Sequence, residues 1–134
     1  MTEQSRIVRI LDRGYSIIWH EGRLEDGLRG LDEDFEWEAT DYLDEGVRRG
    51  PDSVIRFFRE WLDVWDDLEV EWELEELDPE RALAVVHMRG RSRGSGVPGE
   101  MHFGQIWETR GGRFKRMRMF TDVEQARRAA GLDP

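Results

Sequence analysis

Few residues in this chain can carry chemistry. His87 and Arg89 stand two apart in the run Arg81–Arg93, so on an extended strand they share a face. An imidazole there would supply a general acid–base. A guanidinium beside it would hold a carboxylate or enolate oxygen, and a phenol such as Tyr15 would add a hydrogen bond. That combination suits enolisation, cyclisation or dehydration of a carbonyl compound. The blander alternative has His87 hydrogen-bonded in the interior and Arg89 in solvent at a strand end.

The remaining inventory closes off other chemistries. The chain has no cysteine, which excludes disulfides, thiolate metal sites and cysteine nucleophiles. His20, His87 and His102 are far apart in sequence and expected on different faces, so no metal site is expected. Ser92 and Ser95 sit in an Arg/Gly segment without the context of a nucleophile elbow. Glu69, Glu71, Glu73 and Glu75 form a row on one side of a strand and are expected to face solvent, because such a row does not converge on a cation.

Positioning these groups requires one compact domain, residues 1–134. Hydrophobic residues make up 38% and charged residues 37%, and six Trp, six Phe and two Tyr provide bulk for a core. The net charge of −10 is uneven: residues 1–80 hold nine arginines against 25 acids, and residues 81–134 hold eleven basic residues against five acids. That balance argues against nucleic acid as a partner. No apolar run reaches membrane-spanning length, and the first residues lack a signal-peptide core, so a cytoplasmic address and no membrane are expected.

Apolar periodicity predicts a helix over 5–20, capped by Ser5 or Thr2, with Gly14 leaving room for something large. A short helix over 23–31 and a strand carrying Phe35, Trp37 and Ala39 follow, then a loop over 41–50. Gly50-Pro51-Asp52 opens a helix whose stripe is Val54, Phe58, Trp61 and Trp65. Strands are predicted over 68–77, 81–93, 100–109 and 113–121, with a tight turn at Gly111-Gly112, and a last helix spans 122–131. Helices bunched early and strands in a late meander predict an α+β fold, with helices on one face of a curved antiparallel sheet.

That order resembles the nuclear transport factor 2-like superfamily, and within it the SnoaL-like group. The stretches carrying the likeness are YSIIWHEGRLEDGLRGLDEDFEWEA, GPDSVIRFF, RSRGSG, WETRGGRF and DVEQARRAAGL, which together span most of the chain. The resemblance implies a cystatin-like cone, with N-terminal helices packed over the concave face of the sheet, an apolar pocket inside, and a homodimer. On alternation, the pocket is expected to receive Phe35, Trp37 and Ala39; Val70, Trp72 and Leu74; Leu83, Val85, His87 and Arg89; Gln105, Trp107 and Thr109; and Met117 and Met119. The helices are expected to add Tyr15, Trp19, Phe58 and Trp61. Phe114, Arg116, Arg118 and Phe120 are expected to share the outer, dimer-forming face.

Set against ketosteroid isomerases, Tyr15 matches the oxyanion tyrosine, Ala39 the base and Gln105 the second oxyanion donor; an alanine cannot take a proton. Set against limonene-epoxide hydrolases, Met119 stands at an aspartate position, and Arg89 has no matching pair of acids. The resemblance therefore implies a protein for a hydrophobic small molecule, without cofactor. It is either an isomerase, cyclase or dehydratase working through Tyr15, His87 and Arg89, or a ligand-binding or assembly module without turnover. Trp19, Trp37, Phe58, Trp61, Gln105, Trp107, Met117 and Met119 would contact the ligand.

Overall fold

The computed structural model describes residues 5–39 and 47–132. Helix α1 (Arg6–Trp19) starts at Ser5, whose side chain accepts a hydrogen bond from the Val8 amide. Its apolar stripe buries Ile7, Val8, Leu11 and Tyr15. The alternative cap, Thr2, lies outside the described residues. Helix α2 (Leu24–Gly27) is shorter than expected, because the chain turns at 28–30 and enters β1 (Leu31–Ala39), which is correspondingly longer. Gly14 faces no large side chain. A Cβ there would stand 3.3 Å from the Gly27 carbonyl oxygen, so the two glycines let α1 and α2 approach backbone to backbone.

Within the expected loop over 41–50, residues 41–46 lie outside the described part, and 47–49 form a short strand, β2 (Val47–Arg49). Its register on β1 pairs Trp37 with Arg48. Helix α3 (Pro51–Asp63) begins at the expected proline and buries Val54 and Phe58. The strands β3 (Trp65–Asp78), β4 (Arg81–Ser92), β5 (Pro98–Arg110) and β6 (Arg113–Phe120) form the meander, and α4 (Val123–Ala129) closes the chain with Asp122 as its cap. Gly111 and Gly112 take φ of 62° and 80°, the left-handed geometry of a two-residue hairpin turn.

The sheet order is β2-β1-β6-β5-β4-β3. Every pair is antiparallel except β1 and β6, which run parallel because the meander returns beside the first strand. Bulges interrupt three of the pairings and bend the strands. Helices α1 and α3 cover the concave face, where the main core gathers Leu11, Phe35, Trp37, Val54, Val86 and Met117 among others. The outer face is covered too: Ala126 of α4 and Ala130 at its C-cap pack against Leu83, Ile106 and Phe120. The α+β architecture is thus the expected one, with helix on both sides of the sheet.

That second layer overturns part of the expected orientation. In β4 the residues that join the main core are Ala82, Ala84, Val86 and Met88. Leu83 and Val85 belong instead to the outer cluster, and His87 and Arg89 share their outer side. Apolar residues on both faces of β4 leave alternation unable to choose between them, and a one-residue error reverses the strand. A bulge at Glu108/Thr109, where Thr109 pairs with Phe114 and Glu108 with Arg116, corrects two further placements. Phe114 turns inward to the core, away from Arg116, Arg118 and Phe120, while Thr109 bonds the Glu80 carbonyl outside the pocket.

Candidate functional site

Between α1, α3 and the concave face lies an apolar cavity of about 100 Å³. This approaches the roughly 150 Å³ of a dry cavity that takes benzene. Each element contributes for a local reason. Helix α1 turns Leu11, Tyr15, Ile18 and Trp19 inward at three- and four-residue spacing. Helix α3 brings Phe57, Phe58 and Trp61, and β1 brings Trp37, which meets Phe57 and Phe58 edge to face with centroids at 5.3 and 5.2 Å. Strands β4 and β5 supply the wall from alternate positions: Val86, Met88, Phe103, Gln105 and Trp107.

One polar group is built into this wall. Trp107 Nε1 donates to the Tyr15 hydroxyl at 2.9 Å, and that hydroxyl donates to Gln105 Oε1. Tyr15 is further held by stacking on Trp72, centroids 5.5 Å apart, while Trp72 Nε1 donates to Asp12 at 2.8 Å. Burial pushes the Tyr15 phenol far above its usual range, and the Trp107 hydrogen bond offsets only part of that rise. The phenol is therefore neutral, and its one proton is committed to Gln105. Gln105 is the one buried polar residue among the described side chains, 5% exposed. Its Nε2 has no hydrogen-bond partner among them, and it is not sealed in the protein interior. Gln105 thus brings an amide with two donor hydrogens to the lining of an otherwise apolar cavity.

Of the expected site residues, the structure brings Tyr15, Trp19, Trp37, Phe58, Trp61, Gln105, Trp107 and Met119 to the cavity lining. Met117 is wholly buried in the core behind it. Ala39 lies in register with Met119 on the neighbouring strand. His87 and Arg89 are corrected: both are on the other side of the sheet. His87 Nε2 lies 2.6 Å from Glu100 Oε1, and Arg89 pairs with Glu69 at 3.0 Å and Glu71 at 3.5 Å. Among the described lining residues there is no carboxylate, imidazole or cation, so Tyr15 is the sole titratable group.

The expected separation of the histidines is also corrected. His87 and His102 are directly opposite on β4 and β5, with rings stacked at 4.0 Å, while His20 packs on Trp72. Sequence reasoning missed Val86, Met88 and Phe103 in the wall. The apolar Ala126 of α4 and Ala130 at its C-cap were the available sign that the outer face of β4 is covered as well. No helix among the described residues is long and apolar enough to cross a membrane.

Residues 12–117 match the family profile described as a SnoaL-like domain. No curated protein matches the sequence. Among solved structures, a nuclear transport factor 2-like protein of unknown function from Burkholderia pseudomallei is 21% identical, with 93% of this chain and 97% of that one covered and a TM-score of 0.74. A nuclear transport factor 2-like protein from Burkholderia thailandensis is also 21% identical, over 88% and 94% of the two chains, with a TM-score of 0.74. A protein from Jannaschia sp. CCS1, provisionally called a SnoaL-like polyketide cyclase, is 18% identical over the whole of both chains, with a TM-score of 0.71. These likenesses establish the cone-shaped fold.

Proposed function

The chain belongs to the SnoaL-like domain family, and on that premise we propose that it binds a small apolar molecule carrying a carbonyl-type oxygen. The observation that carries this reading is the unpartnered Gln105 Nε2, presented to a cavity that is otherwise aromatic and aliphatic. An apolar wall draws in flat hydrocarbon surface. A buried donor without a partner costs stability until an acceptor arrives, so it selects for a ligand that has one. The Trp107–Tyr15–Gln105 chain fixes the amide in one orientation, which gives the donor a direction. The name of the Jannaschia relative points to the same ligand class, since polyketides are carbonyl-rich.

The same inventory favours binding over turnover. Proton abstraction next to a carbonyl needs a base, and none lines the described cavity. Tyr15 is a positioning residue here: its proton belongs to Gln105 and its pKa is raised. The homodimer implied by the family resemblance enters as part of this proposal; light scattering tests it, and a strict monomer would remove it.

Acetophenone and ethylbenzene, matched in size and differing in the carbonyl, provide the test for the pocket. Titrations followed by tryptophan fluorescence are expected to give acetophenone the advantage. One neutral hydrogen bond is worth about 0.5–1.5 kcal/mol, or roughly two- to tenfold in affinity. Gln105→Leu should erase that preference while retaining the hydrocarbon. Equal binding of the two probes by the native chain, or a preference that survives in Q105L, would sink the proposal.

A further inference from the structure

We infer that the outer face of the sheet carries a binding site for a divalent transition-metal ion, formed by His87, Glu100 and His102. The three residues come from two neighbouring strands. His87 on β4 is in direct register with His102 on β5, and Glu100 stands two residues from His102, on the same face and diagonal to His87. One donor atom from each lies within 4.8 Å of the others. His87 Nε2 and Glu100 Oε1 already meet at 2.6 Å.

A zinc ion with ligands at about 2.0–2.1 Å in a tetrahedron holds its donors roughly 3.3 Å apart. The His87–Glu100 pair must open slightly and the histidine rings must splay. Glu100 and His102 are exposed and free to make that adjustment by rotation. The backbone beneath is the middle of a regular hairpin, which fixes the Cβ positions.

The donor set names the class of ion. Two imidazoles and one carboxylate suit zinc, cobalt, nickel or copper, whereas calcium and magnesium prefer oxygen throughout. Three protein ligands on an exposed face leave the remaining positions to water. The surroundings favour a cation. Glu71 is directly opposite His87 on the other side, and Glu69 is opposite Arg89. Arg89, in register with Glu100, brings a positive charge to this patch, and it is ion-paired to Glu69 and Glu71. The site is also separate from the cavity: His87 lies between Val86 and Met88, and His102 beside Phe103, all three of which face the other way into the cavity wall.

Zinc titration of the metal-stripped chain by calorimetry tests the assignment, with cobalt absorption as a second readout of coordination. The expected result is one ion per chain in the micromolar range, with cobalt giving d–d bands of a site containing nitrogen ligands. Removing a partner that merely orients a metal ligand weakens binding about 10–100-fold. His102→Gln and His87→Gln, which remove ligands themselves, should therefore each cost at least about tenfold. Glu100→Gln should weaken zinc as well, and His20→Gln should match the native chain. Far-UV circular dichroism in chelator checks that each variant is folded, and His102, being exposed, is the safest to replace. No zinc uptake by the native chain, fewer than one ion per chain, or a loss below tenfold in folded H102Q would overturn the assignment.

Discussion

The two faces of β4 and β5 differ in what they offer, residue by residue along the same backbone. Val86, Met88, Phe103 and Trp107 look into the cavity, and the intervening His87, Arg89, Glu100 and His102 look outward. The concave side has bulk, a fixed hydrogen-bond chain and a single buried amide to spare. The outer side has the titratable chemistry of these strands, with His87 against Glu100 and Arg89 paired to Glu69 and Glu71. A residue's type says what it can do, but its face decides what it meets. On a sheet, one position separates a candidate acid–base inside a pocket from a metal ligand in water. The energetic consequence is equally lopsided: concave positions set stability and ligand choice, and outer polar positions should contribute little to either.

The harshest test of that asymmetry is Phe35→Ala. Phe35 is fully buried and stacked on Trp107 with centroids 6.0 Å apart. Truncation leaves a hole beneath the aromatic wall and is expected to cost about 3–5 kcal/mol in denaturant unfolding. A cost below about 1 kcal/mol would mean that the concave side is not the core.

Next in size is Tyr15→Phe. The ring and its stacking on Trp72 remain, but Trp107 Nε1 loses its acceptor and Gln105 Oε1 its donor. Stranding a buried polar group costs about 1–3 kcal/mol, so a loss of about 2 kcal/mol or more is expected. The native chain should also lose stability at alkaline pH in a way that Y15F does not. The folded phenol has a raised pKa and stays protonated, while the unfolded one ionises near pH 10. Stability from this group is complete below that range and drains away as pH rises through it. Matching alkaline limbs in the two proteins would show that Tyr15 is not the buried group described.

How much of this could be read from the residues alone follows the same division. Elements with one apolar face were legible: α1 from Ile7 to Trp19, α3 from its proline start, and β3 from strict alternation of Leu68, Val70, Trp72 and Leu74 with glutamates. On β5 and β6 the inward positions of Gln105, Trp107, Met117 and Met119 were legible from aligning the two strands on the Gly111-Gly112 turn, whereas Thr109, beyond the bulge, was not. Strand β4 was not, since Leu83 and Val85 pack under α4 while Ala84 and Val86 pack under α1, and two buried faces erase the signal. The bulge that turns Phe114 inward has no marker in residue type. The His87–His102 pairing depends on where the β4–β5 turn sits. The chain turns over residues 93–97, earlier than the glycines and proline of 94–99 imply, and that shift alone decides which side chains stand opposite.

The smallest expected effect lies on the outer face, where the comparison is most easily sharpened. Arg89 bridges Glu69 and Glu71, yet its side chain is 51% exposed and both partners are 69% exposed. At such exposure water and salt screen the attraction, and holding three long side chains together costs rotamer freedom. Double-mutant measurements of pairs like these give about 0–1 kcal/mol. Arg89→Ala should therefore shift unfolding by no more than that and leave the acetophenone preference unchanged. Zinc affinity should rise in R89A if it moves at all, because the variant removes a positive charge close to the proposed ion. A loss of several kcal/mol, or a weakened carbonyl preference, would mean that Arg89 reaches the interior after all and that the two faces are not the separate environments described here.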